Sequence, residues 1–434
     1  MGTPYGGLPT ELIHDIFDTL YDEQDLSTLK ACSIVDRLFC TLSQMRLLSH
    51  IILQQECTYP TISPRPTVIT QPYSPALHFL SVLEKSSHIA TYIQCLTIQC
   101  DWMAAGIKGV EHWVRTDTSL AVLLPRLINL RRVSVSGSRV VHPQKQHTPR
   151  PWNSVSQGLT SIFSNRIPSH ALTGLNITGI GRFPIILLQN CTSLKRLWFS
   201  SVSFDPERDR SEENTIPRVD FLHLEDLTDL EKLAEWFTAP SFPLNINNLR
   251  ELSVHPGGHQ ELEEIALCSS WAKSVTELRI HTESAGVLTS YNTLNYILQH
   301  QSAPVPDLQG MDSLKCIVIV AKFTVRIFHH RSLIDYFTSP LPWITSLFTT
   351  LSKSPTVAAR ITHLALNFAF VKFPIELVML LSKSWKPLAA AIDNFPRPPK
   401  LILNITGLDH NGIMELQRSE YLVGLTERGI ITYT

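Results

Sequence analysis

One local group of residues in the sequence could bind a metal or support catalysis: His255-Pro256-Gly257-Gly258-His259, followed by Glu261. Two imidazoles and a carboxylate are common zinc ligands, and consecutive glycines could form an oxyanion hole. The spacing differs from the H-E-x-x-H helix of zinc peptidases, and acidic residues just after a turn suit the N-terminus of a helix. We therefore interpret this group as a structural turn between a strand and a helix.

The sequence has no other local motif for catalysis or cofactor binding. It lacks G-x-S-x-G and G-x-x-x-x-G-K, and Gly179-Ile180-Gly181 lacks the third glycine of a dinucleotide-binding loop. The eight cysteines include no C-x-x-C pair and no zinc-type spacing. We predict that the protein is not an enzyme and has no catalytic residues, no metal site and no cofactor. An enzyme whose residues assemble from distant parts of an α/β core is the alternative.

From residue 77 onward, a short apolar phrase of the form L-x-x-L-x-L recurs at intervals of 22 to 47 residues. Its last two apolar residues are two apart, which is the period of a β-strand, and helical periodicity lies between the copies. The pattern predicts an α/β fold, an irregular leucine-rich-repeat solenoid of alternating short parallel strands and helices. An ordinary α/β sheet would space its strands similarly. The nine copies start at Ile93, Leu130, Leu172, Leu194, Val219, Leu249, Val275, Leu314 and Ile361, and a weaker tenth copy starts at Pro398.

The middle residue of each L-x-L should point away from the buried core, because side chains alternate along a strand. These residues form a candidate substrate-binding surface. Trp198, His223 and Arg279 are its strongest members, since aromatic and arginine side chains often anchor interfaces. The alternative for each one is an ordinary surface residue. The whole set is Thr97, Ser134, Asn176, Trp198, His223, Ser253, Arg279, Val318 and Ala365.

The first fifty residues follow a different pattern, which predicts three short amphipathic helices. In the first, five apolar residues fall within an arc of about 140° at 100° per residue. They are Leu12, Ile13, Ile16, Phe17 and Leu20. A unit of this size rarely buries enough apolar surface to be stable alone. Either the rest of the chain or a partner protein must therefore cover part of this face.

The order of these residues closely resembles the F-box. The matching segments are Leu8-Pro9-x-Glu11-Leu12-Ile13-x-x-Ile16-Phe17, then Asp25-Leu26, then Cys32-Ser33-Ile34-Val35-x-Arg37-Leu38-Phe39. Phe39 stands where the family usually has Trp. The resemblance implies docking on a Skp-family adaptor and, through it, on the cullin of an SCF-type ubiquitin ligase. It also implies that eight residues touch the adaptor or shape the surface that does: Leu8, Pro9, Ile13, Ile16, Leu26, Cys32, Val35 and Phe39.

The apolar phrases resemble the degenerate leucine-rich repeats that follow many F-boxes. Together, the two resemblances imply a substrate-recognition adaptor whose repeats present an unknown substrate protein for ubiquitin transfer. The alternative is a scaffolding repeat protein whose helical head only caps the solenoid. The face formed by Leu12, Ile16 and Leu20 discriminates between them: it stays open in the adaptor and is buried on the repeats in the scaffold.

We predict three regions: an F-box-like head over 1–54, a Pro-rich linker over 55–76 and the repeats over 77–434. Two Pro- or charge-rich segments, 142–153 and 205–217, should form surface loops. A formal net charge of −1, with 17% charged residues, gives no electrostatic reason to expect nucleic acid or an acidic membrane as a partner. Without a signal peptide or a membrane-spanning apolar run, we expect a cytoplasmic and/or nuclear protein.

Overall fold

The structure is a computed structural model with two compact units, Met1–Pro217 (unit 1) and Arg218–Thr434 (unit 2). Each unit is described by itself. The residues that the structure describes are 9–54, 74–100, 113–137, 150–152, 159, 163, 172–205, 217–225, 233–235, 237, 244–255, 268–269, 271–283, 308, 310–324, 341–371, 385–408 and 410–433.

Three helices begin unit 1. Asp25 and Asp36 cap the second and third, since their carboxylates accept the backbone N–H groups of Thr28 and Phe39, both at 3.0 Å. The helices are α1 (Thr10–Asp22), α2 (Leu26–Cys32) and α3 (Arg37–Leu47). They enclose a small core of Ile13, Phe17, Leu29 and Leu42. We call residues 10–47 the head.

Five parallel strands form the sheet of unit 1, each pairing with the next along the chain. Parallel pairing requires a crossover between consecutive strands, and helices lie in several of the described connections. The strands are β1 (His50–Gln54), β2 (Cys95–Cys100), β3 (Arg132–Gly137), β4 (Gly174–Thr178) and β5 (Arg196–Ser200). The helices are α4 (Pro75–Lys85), α5 (Trp113–Thr116) and α6 (Ser119–Leu123), and the 3-10 helices are Ser87–Thr91, Leu124–Arg126 and Ile185–Asn190.

Two shorter parallel pairs lie outside this sheet in unit 1. They join Arg150–Pro151 to Ile180–Gly181 and Phe183–Pro184 to Phe204–Asp205. Aromatic side chains pack beside them, because the ring centroid of Phe183 is 5.2 Å from that of Trp152 and 5.8 Å from that of Phe163. The pairs therefore extend the apolar core beyond the ends of the main strands.

Seven parallel strands form the sheet of unit 2, again in chain order. They are β6 (Phe221–Glu225), β7 (Glu251–His255), β8 (Glu277–Glu283), β9 (Cys316–Thr324), β10 (His363–Val371), β11 (Lys400–Thr406) and β12 (Ile431–Tyr433). The helices whose two ends are described are α7 (Leu341–Lys353), α8 (Pro355–Ala358), α9 (His410–Gln417) and α10 (Glu420–Glu427), and residues 385–393 are helical as well.

Each apolar phrase coincides with a strand, and all nine full copies are buried. Equivalent residues pair across neighbouring strands: Leu175 of β4 lies beside Val133 of β3 and Leu197 of β5. In-register stacking gives each repeat a neighbour that covers its apolar side. The predicted α/β fold with parallel strands is therefore confirmed in the described residues, and the arrangement is consistent with a leucine-rich-repeat solenoid.

The sheet begins earlier than the sequence analysis predicts. Strand β1 lies inside the residues assigned to the head, only two residues after α3 ends, and the carbonyl of Ser49 accepts the N–H groups of Gln94 and Cys95, both at 2.9 Å. The sequence contains the signal for this strand, since Leu48-Ile51-Leu53 is a further copy of the apolar phrase. It was assigned to the head because it directly follows the helical pattern.

The end of the predicted linker is also helical. Helix α4 begins at Pro75, where proline suits the first helical turn, and the hydroxyl of Ser74 caps it by accepting the N–H of Leu77 at 3.0 Å. Residues 55–73 and most of the predicted loops 142–153 and 205–217 lie outside the described residues. The boundaries of the three predicted regions stay a prediction.

Candidate functional site

The apolar arc of α1 is divided between the interior of the head and its surface. Ile13 and Phe17 are buried, and the ring of Phe17 packs edge-on against Phe39 of α3 at 5.3 Å between centroids. Leu12 and Ile16 are 47% and 50% exposed, respectively. They are four residues apart and therefore adjacent on one face of the helix. Leu20, the third residue of the predicted open face, is partly buried against the core of the head, so only Leu12 and Ile16 of that face stay open.

The turn between α2 and α3 exposes two more apolar residues. Ile34 is 86% exposed and Val35 is 65% exposed. Their backbone N–H groups bind the carbonyls of Ala31 and Cys32 at 3.3 and 3.1 Å, so the turn is held by its own hydrogen bonds. Ile34 was not among the predicted site residues. Its signal was an apolar pair, Ile34-Val35, in the short turn between the end of α2 and the capping residue Asp36.

Seven of the eight predicted adaptor-contacting residues are described by the structure, and they occupy three environments. Pro9, Ile16, Leu26 and Val35 are exposed, while Cys32 and Phe39 are half-buried against the core of the head. Ile13 is buried and can only shape the surface from below. Leu8 lies outside the described residues. Four of these residues thus lie at the surface. Leu12 and Ile34 are further exposed apolar residues of the head.

The predicted outward positions of the strands are less uniform than expected. Trp198 is 37% exposed and Arg279 is half-exposed, as predicted. His223 is only 2% exposed, and Ser253 and Val318 are also buried, so the expectation that these three are surface residues is wrong. His223 therefore does not present its side chain at the surface, and its role in binding stays a prediction.

Three histidines on neighbouring strands explain the burial of His223. We call His223 (β6), His255 (β7) and His281 (β8) the histidine cluster. The Nδ1 atom of His223 lies 2.8 Å from the Oγ of Ser253. The ring of His281 lies 5.6 Å from that of His223 and 5.7 Å from that of His255, between centroids. The Nδ1 atom of His255 lies 3.4 Å from Oε1 of Glu225.

Burial keeps two of these imidazoles neutral. Burial and then the repulsion of His281 lower the pKa of His223 to about 3. Burial and then the repulsion of His255 and Arg279 lower the pKa of His281 to about 4, although Glu225 opposes both shifts. At neutral pH the cluster is therefore a packed, hydrogen-bonded group with two uncharged rings.

Arg279 is held by carboxylates on its own strand and on the strand beside it. Its Nε atom is 2.6 Å from Oε1 of Glu251, and its Nη2 atom is 2.8 Å from Oε1 of Glu277. The next strand contributes Cys316, whose pKa is raised to about 11 by burial and then by Glu277. The thiol is therefore protonated at neutral pH and unsuited to nucleophilic catalysis.

No metal centre is found in the described part of the chain, because no three His, Cys, Asp or Glu side chains there have a suitable arrangement. His255 ends β7 and belongs to the histidine cluster, whereas the rest of the glycine-containing turn, 256–267, lies outside the described residues. Within the same described ranges, no helix is long and apolar enough to cross a membrane.

No model of a known protein family matches the chain, and no curated protein matches it either. A solved structure of an internalin from Listeria monocytogenes str. 4b F2365 aligns with 11% sequence identity, over 79% of this chain and 92% of that chain, at a TM-score of 0.25. Because that score is low, the fold is assigned from the strand pairing and the buried phrases alone.

Proposed function

We propose that this chain is the substrate-recognition subunit of an SCF-type cullin-RING ubiquitin ligase. The head docks on a Skp-family adaptor, and the repeats bind a substrate protein. The observation that supports this proposal best is the open half of the α1 arc, Leu12 and Ile16, beside exposed Pro9. A scaffold whose head only caps the repeats would bury that face on the sheet.

The exposed apolar residues of the head suit a protein interface better than a solvated surface. Leu12, Ile16, Leu26 and Val35 are already about half covered, so burying each one completely in a complex would contribute roughly 1–1.5 kcal/mol, about half of the value for a fully exposed side chain. The head alone leaves these side chains in water, although its own core is already formed by Ile13 and Phe17. A partner with an apolar groove would remove these side chains from water, which favours binding.

The residues of the F-box resemblance then divide into two roles. Pro9, Ile16, Leu26 and Val35 would touch the adaptor, while Ile13, Cys32 and Phe39 would hold α1, α2 and α3 in the geometry that presents them. The substitution of Phe for the usual Trp at position 39 keeps an aromatic ring against Phe17. The repeats would supply the substrate-binding surface.

The test is a pull-down of the full chain with a purified Skp-family adaptor. Ile16→Asp should weaken adaptor binding at least about tenfold, because a charge would be buried in an apolar contact. Leu77→Asp is the matched control, since Leu77 is a similarly exposed apolar residue on α4 and not on the head. It should bind like wild type. No binding by the folded wild-type chain would contradict the proposal.

One observation favours the second candidate, a scaffold with a capping head. The head leads directly into β1 with no linker, so it stands at the end of the unit 1 sheet, where solenoids need a cap. A cap and an adaptor-binding head are compatible. A folded chain that fails to bind the adaptor would leave the scaffold as the function.

A further inference from the structure

The outward side of the unit 1 sheet carries three cross-strand rows of side chains that are not part of the apolar phrases. Register defines the rows, because paired residues lie side by side. The first row is His50, Cys95, Arg132, Gly174 and Arg196. The second is Ile52, Thr97, Ser134, Asn176 and Trp198. The third is Gln54, Gln99, Ser136, Thr178 and Ser200.

None of the residues in the described strands β1 to β5 is Asp or Glu, whereas Arg132 and Arg196 are both exposed. Each arginine follows another exposed cation, Arg131 or Lys195, at the start of its strand. The two phrases share this order, Leu130-Arg131-Arg132 and Leu194-Lys195-Arg196. Because consecutive side chains alternate, Arg132 and Arg196 form the positive strip on the outward side of this sheet, and no carboxylate lies among the strand residues.

Gly174 separates the two arginines in the first row. A Cβ atom at Gly174 would lie 3.1 Å from Cγ of Arg132, so the Arg132 side chain lies over β4 where any other residue would crowd it. Strands are about 4.8 Å apart, which puts the two arginine backbones about 10 Å apart. Two carboxylates of one extended segment can span that distance with their side chains.

Trp198 lies two residues after Arg196 on β5, on the same side of the sheet. It is the large aromatic residue of the second row, and its neighbours across the sheet, Asn176 and Ser134, are small or polar. An exposed Trp beside arginines is typical of the anchor residues of protein interfaces. The row offers a flat apolar contact next to the positive strip.

The described strands of unit 2 lack this arrangement, although they carry the same buried phrase. Its outward rows include Glu225, Glu251 and Glu277, and Arg279 is already paired with two of them. An acidic ligand would meet carboxylates on that sheet and arginines on the sheet of unit 1. Charge complementarity therefore selects unit 1.

We propose that the outward side of the unit 1 sheet binds an extended acidic segment of a partner protein through Arg132, Arg196 and Trp198. Carboxylates of the segment pair with the two guanidinium groups, and an apolar side chain of the segment packs on the indole. The inference rests on the proposed role of the repeats as the substrate-binding part of the protein. It names the class of substrate, one that presents Asp and Glu in an extended stretch.

The test is fluorescence anisotropy of the full chain with a fluorescein-labelled peptide of alternating Glu and Leu. Arg132→Gln and Arg196→Gln should each weaken binding about threefold to tenfold, and Trp198→Ala by about tenfold. Binding should also weaken as the ionic strength rises above ~0.1 M, because the arginines are exposed. Lys400→Gln is the matched control, since Lys400 is an exposed cation at the same position of its phrase in unit 2.

Three results would overturn the inference: no binding by the wild-type chain, an equal loss with Lys400→Gln, or tighter binding of a labelled single-stranded oligonucleotide than of the peptide. The variants at Arg132, Arg196 and Lys400 should unfold near the wild-type temperature because these side chains are exposed, whereas Trp198→Ala should unfold at a somewhat lower temperature because Trp198 is only 37% exposed. The adaptor pull-down is independent of this measurement. Peptide binding without adaptor binding would refute the ligase function alone, and the reverse would refute only the acidic segment.

Discussion

Units 1 and 2 have the same buried phrase but differ in the residues that the phrase leaves outward. In both, the apolar residues of successive strands pair in register and are buried, for example Val133 with Leu175 and Leu252 with Leu278. Outward, unit 1 shows arginines, small polar residues and Trp198. Unit 2 shows glutamates and the histidine cluster, whose polar groups bind one another.

The difference shows which part of a repeat is free to specialise. A change in a buried phrase residue must fit both neighbouring strands, because each side chain packs in a row with its equivalents. A change in an outward residue affects only its contacts within the cross-strand row and with solvent. Unit 1 uses this freedom for an open surface, while unit 2 uses it for contacts that stabilise the sheet itself.

The largest predicted effect on the free energy of unfolding concerns two glycines, each of which directly follows a strand, one in unit 1 and one in unit 2. Gly179 follows β4 with φ of +68°, and Gly407 follows β11 with φ of +82°. A Cβ atom would lie 3.0 Å from the Gly137 carbonyl in the first case and 2.0 Å from the Phe370 carbonyl in the second. Ala at 407 should therefore cost about 3–4 kcal/mol of unfolding free energy, and Ala at 179 about 1–2 kcal/mol.

Denaturant unfolding of the two variants measures these costs, and Gly424→Ala is the control. Gly424 lies in α10 with nothing within 4 Å of a Cβ atom, so Ala there should stabilise by about 0.5–1 kcal/mol. Equal losses at Gly179 and Gly407 would show that the turn after β11 is no tighter than the turn after β4.

Acid should destabilise unit 2 more than unit 1. The pKa values of His223 and His281 in the folded state, about 3 and about 4, lie below the value of about 6.5 in an unfolded chain. The unfolded state therefore binds more protons than the folded state in acid. The free energy of unfolding is unaffected by these two histidines above pH ~6.5 and falls as the pH is lowered toward 4. At pH ~5 the loss should be of order 1–2 kcal/mol for each imidazole.

Hydrogen exchange at neutral pH and at pH ~5, corrected for intrinsic rates, localises the effect. Strands β6 to β8 should lose protection from exchange in acid. The described strands of unit 1, in which His50 is the only histidine, should lose less. A His223→Gln/His281→Gln variant should be less stable at neutral pH but show a flatter pH dependence. His363→Gln, an exposed histidine on β10, should keep the wild-type dependence. Equal acid sensitivity of the two units would refute the assignment to the cluster.

The sequence predicts the strands well because their signal is periodic and local. Every copy of L-x-x-L-x-L is a strand, and even the unrecognised copy at Leu48-Ile51-Leu53 obeys the rule. The helical pattern of the head is similarly local, as are the caps at Asp25 and Asp36. These features depend on residues a few positions apart, so one sequence contains enough information to find them.

The surface is harder to predict because it depends on residues far apart in the chain. The periodicity of α1 gives one arc but not its division into buried Phe17 and exposed Ile16, which α2 and α3 decide. Side-chain alternation predicts that His223 points outward from its strand. It does not predict that His281, 58 residues later in the sequence, packs against the His223 ring. Cross-strand rows are known only once the register is known.

The smallest expected effect concerns the ion pairs of Arg279. Both pairs are partly exposed to solvent, so Arg279→Gln should cost no more than about 1 kcal/mol of unfolding free energy. The loss should shrink further at ~1 M salt, where charges are screened within about 3 Å. Arg132→Gln in unit 1, where the strands carry no carboxylate, should change stability by less than about 0.5 kcal/mol at either salt concentration. A salt-independent loss of about 3 kcal/mol at Arg279 would instead indicate a buried pair, and the outward side of unit 2 would then be part of its core.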